Sequence, residues 1–259
     1  MSQNCGQLTS MDEESLSIVI GTCREGFGTK GMARLVRRLA ESDEGNCAEF
    51  LLMGTVEEIP ESEDRLALLE QLEFTDGQSR LKGRVSQLVG EIKTSLGEFR
   101  QASEHLRRAR ELQPADPRVW NSLANLTLDS QGDPLKAREY AKKAVALSED
   151  AEARVRGACL MTLGRVLQRM GLTYPARTNF ARSVAVYETA ENRLHLGSIL
   201  LAREVRDPNA AVELKRAETL AVLANKEDVL QEVRRLLASM DSAGSEGGKE
   251  AAAGDSMPQ

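Results

Sequence analysis

The residues best placed to do chemistry lie in "SIVIGTCREGFGTKGMARLVRRLAES", Ser17 to Ser42, where an apolar run meets Gly21, Gly26, Gly28 and Gly31 beside Lys30. Strand, glycine loop and basic helix is the order in which backbone N–H groups and a lysine cradle a phosphate. A P-loop needs Gly-x-x-x-x-Gly-Lys-Ser/Thr, so that the lysine reaches the phosphates and the hydroxyl holds the metal. Gly21 and Gly26 have the glycine spacing, but Phe27 and Gly28 stand where the lysine and hydroxyl belong. Gly26, Gly28 and Gly31 fit Gly-x-Gly-x-x-Gly, yet no alternation of strands and helices follows to build a parallel sheet. A nucleotide-binding enzyme or regulator using residues 21–31 is therefore the alternative reading, not the principal one.

The other reactive side chains are scattered. His105 and His195 are the only histidines, each alone in a helical pattern. His105, among Glu104, Arg107 and Arg108, reads as a solvated surface residue. Cys5, Cys23, Cys47 and Cys159 form no Cys-x-x-Cys pair, which argues against a zinc site or disulfide framework and for reduced thiols. No Ser-His-Asp order, acid pair or metal-ligand cluster stands out. The expectation is a non-enzymatic chain with no catalytic residues, cofactor or metal.

Composition says what must position these residues. Of 259 residues 41% are hydrophobic but only 3% aromatic, and the chain is rich in Ala, Leu, Glu and Arg, so it is expected to be all-α. The net charge of -6 argues against nucleic acid, whose phosphates call for a basic surface. No signal-peptide pattern opens the chain, and no apolar run approaches the roughly 18 residues of a membrane span. The expected location is cytoplasmic, with no membrane partner, and "NLT" at Asn125 reads as a chance match to a glycosylation sequon.

The middle of the chain repeats itself. In "LVGEIKTSLGEFRQASEHLRRARELQPADP" Leu88, Val89, Ile92 and Leu96 line one helix, Gly97-Glu98 breaks it, and Phe99, Ala102, Leu106, Ala109 and Leu112 line a second. Trp120, Leu123, Ala124 and Leu128, then Gly132-Asp133, then Ala137, Ala141 and Ala144 repeat the plan. A third copy runs Leu160, Leu163, Gly164, Gly171, Ala176, Phe180 and Ser183. A fourth runs Leu196-Gly197, Asp207-Pro208, Ala210, Leu214 and Ala217. Pro134, Pro175 and Pro208 each follow a turn, in the first turn of a second helix, where a missing N–H costs little.

The pattern resembles the tetratricopeptide repeat, a roughly 34-residue helix-turn-helix unit with a large-small pair in its first helix and Ala-x-x-x-Phe-x-x-Ala in its second. Trp120 matches the family's early aromatic, Leu163-Gly164 its large-small pair, and Ala176, Phe180 and Ser183 its second-helix set. Trp120, Gly164 and Ala176 are accordingly expected to be buried. The glycine stretch falls into the same register. Gly21, Gly28, Ala33 and Ala40 repeat the intervals of Gly164, Gly171, Ala176 and Ser183.

The expected fold is a right-handed α-solenoid of about six such repeats. Degenerate copies span 14–82 and clearer ones 83–224, with disordered ends at 1–13 and 241–259. A capping helix, 225–240, should cover Leu214, Leu220 and Leu223.

In such repeats the first helices line the concave surface. Projecting their period from Gly90, Ala124 and Gly164 gives a groove of Arg84, Gln87, Glu91, Arg118, Asn121, Asn125, Arg165, Gln168, Arg169 and His195. Asn and Gln can donate to and accept from an extended backbone, and Arg can grip a carboxylate through two bonds. The resemblance thus implies an adaptor, scaffold or assembly factor that binds a protein or peptide segment, here an acidic or carboxylate-bearing one. A chaperone C-terminal clamp is not expected, because its flanking Lys and Lys/Arg positions are Gln87 with Glu91 and Ala158 with Thr162 in this chain. Left without a partner, the same positions are solvated helix faces.

Overall fold

A computed structural model of the chain describes Gly31, Ala33, Arg34, Val36, Leu52, Met53, Val56 and Ile59, then residues 62–72, 79–202 and 207–252. Expectations for residues 1–30, including the glycine stretch before Gly31, lie outside these residues. The regular elements among the described residues are all helices, with no strand among them. The helices are α1 (Ser62–Glu70), α2 (Ser79–Ser95), α3 (Phe99–Leu112), α4 (Pro117–Asp129) and α5 (Pro134–Leu147), then α6 (Ala153–Arg169), α7 (Thr173–Val186), α8 (Ala190–Leu201), α9 (Pro208–Leu223) and α10 (Glu227–Ala252). By contacts the chain divides into two compact units, Met1–Gln131 and Gly132–Gln259, with the division in the turn after α4.

Local chemistry starts and stops these helices. Asp116, Asp133 and Asp207 each cap a helix whose first residue is proline, accepting from the backbone N–H two residues on. Pro117 begins α4 in this way. Gly97 and Gly171 end their helices in the left-handed region, at φ of 78° and 74°. There the next N–H reaches back inside the helix, Glu98 to the Lys93 carbonyl (2.8 Å) and Leu172 to that of Leu167 (2.9 Å).

In the first unit α2 packs on α3, and α4 packs on both. Between α2 and α3 there is no room for a side chain at Gly90, since a Cβ there would lie 2.6 Å from Leu106 Cγ. The core gathers Leu81, Val85, Leu88, Val89 and Ile92 of α2 with Leu68 and Leu69 of α1 and with Leu52 and Val56. In the second unit α6 pairs with α7 and α8 with α9, and α10 packs against α9 and α8. Two more close approaches hold these pairs together, Gly164 against Phe180 (2.5 Å) and Gly197 against Leu214 (2.7 Å), each measured from a Cβ in place of the glycine hydrogen. Large-small pairing thus sets the distance between the helices of a repeat, as the sequence implied.

Two packing expectations need correction. Gly164 and Ala176 are buried, but Trp120 is only partly so. Its indole N–H donates to the Pro114 carbonyl at 2.8 Å, which lays the ring over the α3–α4 loop rather than into the helix seam. Leu223 is 78% exposed and is not covered by α10, because it ends α9 on the outward side. The surface that α10 does cover is Leu214, Ala217 and Ala221, which meet Val229, Leu230 and Val233. That last helix continues to Ala252, past the expected end at 240.

Candidate functional site

The expected groove positions divide between the two units. In the first, α2 carries Arg84, Gln87 and Glu91, and α4 carries Arg118, Asn121 and Asn125. Arg84 and Gln87 are not presented to solvent, being 5% and 1% exposed. Met53 and Ser122 cover them, a placement that helical period on one element does not reveal. Arg84 directs Nε and Nη2 at the Met53 sulfur (3.2 and 2.9 Å) and donates from Nη1 to Gln87 Oε1 at 2.5 Å. A guanidinium can only donate, so this contact fixes the orientation of the Gln87 amide. Gln87 Nε2 then donates to Glu91 Oε1 (2.9 Å) and Ser122 Oγ (3.2 Å). The Ser122 hydroxyl in turn lies 2.5 Å from Glu91 Oε1 and 2.8 Å from the Arg118 carbonyl, with one proton to share between them.

This chain of bonds ends at an exposed carboxylate. Glu91 is open to solvent, and both its bonds fall on Oε1. Arg118 is engaged by Asp116, with Nε at 3.0 and 3.1 Å from the two carboxylate oxygens and Nη2 at 2.8 Å. Asn121 Oδ1 is buried with no donor among the described residues, a deficit that costs about 1 to 3 kcal/mol unless something satisfies it. Asn125 is half-buried on the same helix.

In the second unit Gln168 and Arg169 are exposed at the end of α6, and Arg165 is half-buried one turn earlier. His195 of α8 lies flat on Phe180 of α7, the ring centroids 5.3 Å apart. Burial pushes its pKa down to about 4, helped by the nearby positive charge of Arg165. At neutral pH it is an uncharged packing residue. His105, expected on a solvated face, is half-buried. Its pKa is lowered by burial first, then by Lys93 and Arg108.

Sequence reasoning missed the covering role of Ser122 and Met53, which contact Gln87 and Arg84 in the first unit. A serine one position after a groove asparagine gives no signal until the neighbouring helix brings Glu91 to it. Among the described residues no His, Cys, Asp and Glu gather into a metal site, and no helix is long and apolar enough to cross a membrane.

Known proteins bear on the fold. No family model matches the chain, and no curated protein does either. Solved structures do. TTC0263, a thermophilic TPR protein of Thermus thermophilus, matches with a TM-score of 0.55 at 17% identity, over 80% of this chain and 99% of that one. Cut9, from the APC/C hetero-tetramer Cut9–Hcn1, matches at 0.59 and 14%, over 87% of this chain and 46% of its own. PilF of Pseudomonas aeruginosa matches at 0.52 and 15%, over 85% and 99%. With paired helices, glycine-mediated close approaches and these structural neighbours together, the chain is an all-α repeat protein of tetratricopeptide-like fold.

Proposed function

We propose that the chain is a non-enzymatic adaptor, scaffold or assembly factor, acting in the cytoplasm, that binds an extended protein segment along its first helices. The observation that carries this reading is on α6, where Arg165, Gln168 and Arg169 form a polar strip while Leu160, Leu163 and Gly164 of the same helix are buried in the repeat. Two guanidiniums one turn apart suit a carboxylate-bearing segment, and Gln168 can serve its backbone. Asn125, half-buried on α4, offers the same two-way hydrogen bonding in the first unit. Cut9, of like fold, occurs in a hetero-tetramer with Hcn1, in keeping with a protein partner.

The test is a variant in which Asn125, Arg165 and Arg169 are all replaced by Ala. It should keep its helical content and melting temperature but no longer capture its partners from native extract. Equal capture with equal salt sensitivity would move the binding surface elsewhere.

A further inference from the structure

Resting on the reading of the first helices as a binding face, we propose that the first unit accepts a cationic group of the partner, a lysine or arginine side chain, at Glu91. The surroundings of Glu91 differ from the basic groove that residue types alone suggest. Arg84 is buried, and Arg118 is engaged by Asp116 through both of its carboxylate oxygens. The Glu91 carboxylate is exposed midway along this face, with Arg80 exposed at the start of α2 and Asp129 at the end of α4.

That carboxylate is also held in place. Gln87 Nε2 and Ser122 Oγ both converge on Oε1, and Gln87 is itself fixed by Arg84 beneath it. A surface glutamate ordinarily loses side-chain entropy when it pairs; here intramolecular bonds have already fixed the geometry, so a partner's cation meets a preorganised acceptor. Among the described residues nothing donates to Oε2, which leaves that oxygen for an incoming N–H. The Glu91 carboxylate asks for a donor, and an acidic side chain would bring it a like charge.

The experiment pans a random dodecapeptide phage library on the full-length chain, then measures selected synthetic peptides by fluorescence anisotropy against wild type, Glu91→Gln and Glu91→Lys. Glu91→Gln retains a carbonyl oxygen to accept from Gln87 and Ser122, so an unchanged melting temperature confirms that only the charge was removed. The expected result is a Lys or Arg at a fixed position of the selected peptides and affinity about three- to tenfold weaker in Glu91→Gln. The loss should be larger in Glu91→Lys, and the wild-type advantage should shrink with added salt. Changing that peptide Lys to Met should cost wild type as much and Glu91→Gln almost nothing. Peptides without a fixed cation, or equal affinity for Glu91→Gln, overturn the assignment while leaving the binding face intact. No peptide bound at all overturns both.

Discussion

The ring of Phe180 lies between Gly164 and His195: its edge presses on the glycine of α6, and its face stacks on the histidine of α8 with planes 10° apart. Phe180 is 0% exposed. One side chain therefore joins the two helices of its own repeat to the first helix of the next, and both neighbours are constrained by its position.

Gly164→Ala should destabilise the fold by about 1 to 3 kcal/mol, since the new methyl would sit 2.5 Å from Phe180 Cε1 and a fully buried ring has nowhere to move. Urea unfolding followed by circular dichroism measures this. The double variant Gly164→Ala, Phe180→Leu should recover part of the loss, because the smaller side chain relieves the overlap. A Gly164→Ala protein with unchanged stability would mean that the contact is not close.

The pH dependence of stability follows from His195. Folding lowers its pKa from 6.5 to about 4, so between these values the unfolded chain binds a proton that the folded chain refuses. The contribution is complete above pH 6.5 and disappears as pH falls through the window to 4, on the order of 3 kcal/mol in all. His195→Phe keeps the stack and has no proton to refuse. Melting temperature measured from pH 4 to 7 should fall more steeply in wild type than in this variant as acid is added. Parallel curves would place the histidine in water.

The cap gives a prediction with a built-in control. Val233 is 0% exposed between α10 and α9, so Val233→Asp buries a charge with no partner and should cost about 3 kcal/mol or more, with aggregation on storage. Gln231, exposed on the same helix, should tolerate Ala within about 0.5 kcal/mol. Light scattering and urea unfolding of the two variants distinguish a capping surface from an unattached helix, in which neither change would matter.

How much of this was legible in the sequence depends on the range of the interaction. Helix pairs, turns and caps are local, and Gly97, Gly171, Asp133-Pro134 and Asp207-Pro208 announce them through backbone chemistry alone. The close approaches at Gly90, Gly164 and Gly197 were readable as well, because the glycine and its large partner belong to one repeat at one spacing. The groove was less so. A helical period gives the direction of Arg84 and Gln87 but not what lies over them, and the covering residues, Met53 and Ser122, are more than thirty positions away. Trp120 was misjudged for a related reason. Its ring is amphipathic, and the indole N–H donates to the Pro114 carbonyl in the preceding loop.

The glycine contacts also have a bearing on how such a chain can be recombined. Gly90 with Leu106, Gly164 with Phe180 and Gly197 with Leu214 each place the hollow and the residue that fills it on one continuous stretch. A hairpin cut out and transplanted therefore carries its own internal fit with it. What it leaves behind is the seam, and there the demands differ: a hairpin inserted before α8 must offer His195 a flat apolar surface in place of Phe180. Exchange of whole hairpins is thus limited by the outer surface of each piece and hardly at all by its interior.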